Sequence, residues 1–170
     1  MLIKKGEDTY LLIDEGRKHG FLAKMTTGTE MIITEFVVAY VLAHETGHHV
    51  QNLTGVLDQQ HQLRTSGRYS TAQLNQISVA VELQADFYAG VWAKRNNQRV
   101  HGGVLEPGDI ESAVTAAAAV GDDNIQKRTQ GHVNQETFTH GSSKQRIEWF
   151  LKGYETGDIK QGNTFDALLN

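Results

Sequence analysis

Residues 37–55 read VVAYVLAHETGHHVQNLTG. The apolar front half is too long for a single strand. It passes into His and Glu at spacings of three and four, which is the rhythm of a helix. Gly55 is a stop signal, so the pattern predicts a helix over about Thr29 to Leu53. Inside it, His44-Glu45-Thr46-Gly47-His48 is an H-E-x-x-H pattern. Four helical residues turn the chain by about 400°, so His44 and His48 stand one turn apart on one face. Two imidazoles so placed can converge on one tetrahedral ion. Glu45 is rotated about 100° from His44 and points beside that ion, which suits a general base acting on water. His49 points about 100° away from His48 and reads as packing rather than as a ligand.

Two histidines do not complete a catalytic zinc site, which needs a third protein ligand and keeps one position open. A third histidine in the H-x-x-G-x-x-H continuation is excluded, because Gln51 and Thr54 stand there. The best source is VAVELQADFYAGVW (79–92), in a second long helix expected over about Thr71 to Asn96. Glu82 and Asp86 are four apart on one face and are the only carboxylates between Ile77 and Ala93. Ser78, Ala85 and Ala89 are small and permit close helix approach. Glu82 is the candidate ligand, and Asp86 can accept the second N–H of a ligating histidine, His44 first among them. His61, His132 and His140 are rival third ligands. Leu74, Ile77, Val81, Tyr88 and Trp92 mark an apolar stripe on the same helix. Arg146, on the last helix, can pair with Glu82 or Asp86 or face water, and water is the favoured expectation.

The remaining composition bounds the answer. A chain of 170 residues suits one domain, here taken as 1–170. A net charge of −4 without a basic cluster argues against nucleic acid as a partner. With no cysteine, any metal must be held by His, Asp or Glu, and 8 His are available. A single Pro and few β-branched runs favour a mainly α chain. Short strands are expected only near the N-terminus, at 9–14 and 20–24, with Gly16 and Gly20 as turns. Residues 55–70 read as a polar connection with a short helix. Further helices are expected from an Asp109 N-cap to Gly121, from Asp123 to Gln130, and from a Ser142/Gln145 capping box to Gly157. No apolar stretch reaches the roughly 18 to 20 residues that span a bilayer, so the chain is expected to be soluble as it stands.

Together, HETGHHVQNLTG, ELQADFYAGVWA, GDIESAVTAAAAVGDD and FTHGSSKQRIEWFLKGYETGD closely resemble, in order, the bacterial neutral zinc metallopeptidase family. The resemblance covers about residues 35–166. It implies a zincin-like fold, with zinc held by His44, His48 and Glu82 and with Glu45 as base. Peptide hydrolysis by water is then expected, and His140 is the candidate donor to the developing oxyanion, Tyr88 a weaker one. His140 equally reads as a cap for the helix that follows it. The resemblance also implies an envelope location if an N-terminal anchor precedes the chain. Family members carry Cys where this chain has Phe87 and Gly162. That implies a pairing which the Phe87 ring replaces here by packing on Gly162. The rival to a peptidase is a non-catalytic helical domain with a structural or latent zinc site, in which Glu45 has no task. A metal-free interaction module is disfavoured, because it leaves Glu82 and Asp86 unpaired in an apolar helix.

Overall fold

The structure is a computed structural model. It describes residues 2–5, 8–13, 21–24, 35–99, 101 and 103–169. The chain divides into two units, residues 1–32 and 33–170, each described by itself. The first is a three-stranded antiparallel sheet of β1 (Leu2–Lys5), β2 (Asp8–Ile13) and β3 (Phe21–Lys24), in that order. Its register pairs Ile3 with Tyr10 and Leu11 with Ala23. The strands expected at 9–14 and 20–24 are found within a residue of those bounds, whereas β1 was not anticipated. The turn glycines 16 and 20 and the expected helix start at Thr29 lie outside the described residues.

The second unit is helical among the described residues. It comprises α1 (Glu35–Leu53), α2 (Val56–Thr65), α3 (Thr71–Arg99), α4 (Asp109–Ala119), α5 (Asp122–Gln130), α6 (Ser143–Thr156) and α7 (Thr164–Leu169). The protein is thus mainly α, as its composition suggested. No helix among the described residues is long and apolar enough to cross a membrane.

The long helix α3 is the centre of the unit. Helices α1, α6 and α7 all pack on it. Consecutive residues Leu83 to Phe87 are therefore all buried. This replaces the single apolar stripe expected from the sequence, and Trp92 on that stripe is in fact exposed. A helix enclosed on several sides needs no polar flank, so its periodicity fades.

Backbone contact fixes two of these packings. A Cβ added at Gly90 would lie 2.0 Å from the Phe150 carbonyl oxygen, and one at Gly153 would lie 2.1 Å from that of Phe87. Helices α3 and α6 can cross this closely only because both positions are glycine. At the α1–α3 crossing, a Cβ on Gly47 would sit 3.1 Å from Ala85 Cα. The glycine inside the H-E-x-x-H pattern thereby brings the two candidate ligand helices together. Ala113, Ala116 and Ala117 of α4 close the core around Phe36, Val37, Tyr40 and Phe150.

The helix boundaries show which local rules held. Ser142 and Gln145 form the expected reciprocal capping box, and α6 stops at Gly157 in a left-handed conformation (φ 63°). The start of α4 differs from expectation. Gly108, with φ 96°, is the cap residue and Asp109 is the first helical residue. The Asp109 carboxylate accepts the Glu106 N–H at 2.8 Å instead. Helix α7 was not anticipated, because six residues carry too little periodicity.

Candidate metal centre

Helix α1 presents His44 and His48 on one face, with their rings edge to face and 4.7 Å apart. Their Nε2 atoms are 3.1 Å from each other. Glu82 reaches across from α3. Its carboxylate lies 3.4 Å from His44 Nε2 and 3.6 Å from His48 Nε2. These three are the only metal-competent cluster among the described residues. Ligands at about 2.0–2.1 Å on a tetrahedral zinc are about 3.3–3.4 Å apart along each edge. The three observed separations, with Glu82 Oε2 nearer His44 and Oε1 nearer His48, lie close to that edge length, so the residues present fit zinc in both donor chemistry and spacing.

The outer nitrogens are held as well. His44 Nδ1 donates to Asp86 Oδ1 at 2.8 Å, as the i,i+4 pairing of Glu82 and Asp86 suggested. Asp86 is 0% exposed. It also accepts from the Tyr40 hydroxyl at 2.6 Å, and from Arg146 Nε at 2.8 Å and Nη2 at 3.0 Å. Arg146 is 4% exposed, so its expected place facing water is wrong. A carboxylate taken fully out of water requires a cation beside it, and the first turn of α6 supplies one. His48 Nδ1 lies 2.8 Å from Gln51 Oε1. Tyr40, Arg146 and Gln51 thus belong to the centre although no motif marked them. One signal was available: a carboxylate inside an apolar helix demands a partner.

The electrostatics favour positive charge at this point. Burial raises the Glu82 pKa, but hydrogen bonds and charge from His44 and His48 outweigh it and hold the carboxyl well below its usual range. Burial lowers the His44 pKa, yet Asp86 and Glu82 together push it up to about 9. Both shifts report one field. The buried Asp86 and half-buried Glu82 carboxylates stabilise a positive charge here, whether a proton or a divalent cation carries it.

Glu45, half-buried on α1, has no side-chain partner among the described residues. The rival ligands do not join the cluster: His61 is exposed on α2, and His132 is exposed with Nδ1 3.1 Å from the Gln130 carbonyl oxygen. His49 is exposed, and Tyr88 is half-buried beside Phe87. A Cβ at Gly162 would lie 2.5 Å from Phe87 Cδ1, so the Phe87 ring does fill the space next to residue 162.

His140 sits on the loop before α6 but does not cap that helix, since Ser142 does. Asp122 builds this loop. Its Oδ2 accepts the backbone N–H groups of Thr139, His140 and Gly141 at 2.7, 2.7 and 3.1 Å. Its Oδ1 lies 3.1 Å from His140 Nδ1, and the His140 side chain stays 50% exposed. Burial works against the Asp122 charge, but the bonds from the His140 ring and from the backbone N–H groups outweigh it, so the carboxyl titrates below its ordinary value. The bond to Asp122, helped by the charge of Glu82, lifts His140 above the ordinary imidazole value against its burial.

These directions fix a pH window. The lowered carboxyl adds stability that is complete above about pH 3.9 and is lost as pH falls through its folded pKa. The raised imidazole adds stability that is complete below about pH 6.5 and is lost as pH rises through its folded pKa. Asp122→Asn is therefore expected to melt furthest below wild type between about pH 4 and 6.5, with the gap narrowing on both sides. Thermal melts of both chelator-treated proteins across that range check this, and a gap independent of pH contradicts it.

A family model described as "Putative neutral zinc metallopeptidase" matches residues 20–165. The chain is 48% identical over 135 residues to uncharacterized protein YpfJ of Escherichia coli (strain K12), covering 79% of this chain and 45% of that protein. It is 50% identical over 141 residues to uncharacterized protein Rv2575 of Mycobacterium tuberculosis (strain H37Rv), covering 78% and 45%. The chain therefore spans about half the length of the curated relatives it matches. No solved structure matches it. With that family model matching most of its length, the chain belongs to the neutral zinc metallopeptidase family.

Proposed function

We propose that this chain carries the catalytic centre of a zinc peptidase, with His44, His48 and Glu82 as metal ligands and Glu45 as general base. The observation that carries the reading is the convergence of those three side chains, with Glu45 next to a ligand yet outside the ligand set. A structural zinc site normally has four protein ligands, whereas three leave a position for water or substrate. Bound zinc supplies a Lewis acid that polarises a carbonyl and brings the pKa of water toward 7.

The chain's own residues do the remaining work. Glu45 takes a proton from the attacking water and returns it to the leaving amine. Asp86 holds His44 with Nδ1 protonated, which keeps the Nε2 lone pair aimed at the cluster. At His140, Nδ1 is committed to Asp122, so Nε2 carries a hydrogen only in the imidazolium. The Asp122 bond favours that form, and the Nε2–H is then free to donate to the oxyanion of the scissile carbonyl. The substrate class is a peptide or protein.

Cleavage of a fluorogenic casein tests this reading. Activity is expected to vanish with a zinc chelator and to return on adding zinc in slight excess. Zinc-loaded protein that never cleaves any of a broad peptide set would point instead to a structural site.

A further inference from the structure

Gln51 is 0% exposed, three residues beyond His48 on α1, where that helix meets α3. Its amide is fully committed. The nitrogen donates to the Val81 carbonyl at 2.8 Å and to Gln84 Oε1 at 3.0 Å. The oxygen faces His48 Nδ1 at 2.8 Å. A backbone carbonyl can only accept, so the Val81 oxygen dictates which end of the amide points to α3. Gln84 is fixed by the same logic, because its own nitrogen donates to the Gly162 carbonyl at 2.9 Å. Two backbone carbonyls thus set the direction of the whole relay, and the relay ends on an acceptor aimed at His48.

Only an N–H can meet that acceptor. His48 must therefore carry its hydrogen on Nδ1, which leaves the Nε2 lone pair at the point where His44 Nε2 and Glu82 converge. We infer that Gln51 is a positioning residue for His48, fixing its tautomer and ring plane as Asp86 does for His44; this rests on reading His48 as a zinc ligand. The two histidines are thus oriented by different chemistry, one by a carboxylate and one by a carboxamide. A neutral orienter suits this side of the centre. Glu82 and Asp86 already place two carboxylates there, and Arg146 is paired with Asp86. Val81 also directly precedes Glu82, so one amide couples a histidine on α1 to the backbone that presents the third ligand.

The test is zinc affinity of the full chain, measured by competition with a chromophoric chelator, together with the visible spectrum of the cobalt-substituted protein. Gln51→Met keeps length and removes the acceptor. It is expected to weaken zinc binding by about ten- to a hundredfold and to change the cobalt spectrum. Gln51→Glu keeps an acceptor for His48 and is expected to bind zinc more tightly than Gln51→Met. A merely structural role reverses that order, because a carboxylate buried against the Val81 carbonyl is worse than an apolar isostere. Should Gln51→Met fail to fold, Gln84→Met removes one anchor of the amide while leaving Gln51 in place. It is expected to show a smaller loss with the same spectral direction. Wild-type affinity in the Met variants, or the reversed order at position 51, overturns the role of Gln51 while zinc binding by wild type stands. A wild type that takes up no zinc overturns the zinc reading itself, and the role of Gln51 with it.

Discussion

Arg146→Met is expected to lower the stability of the protein by about 3–5 kcal/mol, the cost of leaving a buried charge without its partner. Asp86 has no exposed surface, and two of its four hydrogen bonds come from the Arg146 guanidinium. Burial drives the Asp86 pKa upward, and the Arg146 and His44 charges more than reverse it, holding the carboxyl below its ordinary value. Without the guanidinium, burial dominates. Asp86 must then take up a proton or remain a poorly compensated anion, and its grip on His44 weakens either way. Folding stability is commonly about 5–15 kcal/mol, so this one change removes a large share of it. Urea unfolding at neutral pH checks the size. Arg146→Met combined with Asp86→Asn is expected to cost less than the sum of the two single changes, since the pair acts as a unit. A loss below about 1 kcal/mol, the range of exposed pairs, would show that the guanidinium is not compensating a buried charge.

Glu45→Gln is the second large effect, and it appears in rate rather than stability. A positioned general base contributes about 10²–10⁴-fold, and the amide cannot take a proton. Peptide cleavage is expected to fall by that factor. Zinc affinity is expected to stay at the wild-type value, because Glu45 lies outside the cluster of His44, His48 and Glu82. The split between the two readouts is the informative part. Loss of zinc in this variant would place Glu45 among the ligands or in the support of the helix. Full activity would remove it from the chemistry.

What the sequence made legible is local. The turn of one helix places His44 and His48 together, and the same arithmetic places Glu82 and Asp86 together. A single cap pattern marks the start of α6. Each of these is a relation within a few residues of one element, where spacing is set by helix geometry alone. What remained hidden or undecided links elements far apart in the chain. Arg146 meets Asp86 across 60 residues and lies within hydrogen-bonding distance of Tyr40 across 106. Gln51 reaches Gln84 across 33. No periodicity encodes such pairs, and 16 Lys and Arg were available to answer one buried carboxylate. Packing chose among them. The Gly90 and Gly153 contacts bring α6 against α3, and Arg146 near the start of α6 then meets Asp86. In the sequence Gln51 marks only a departure from the H-x-x-G-x-x-H continuation, although its position one turn beyond His48 also marks it as a neighbour of that ring.

The central claim is that His44, His48 and Glu82 hold a zinc ion. Metal content per chain, measured by elemental analysis on purified wild type and on Glu82→Ala after equilibration with zinc and removal of excess, tests it most directly. The account predicts a single zinc bound per wild-type chain and its loss from Glu82→Ala. A wild type that retains no zinc, or a Glu82→Ala variant that holds it as tightly as wild type, would contradict it.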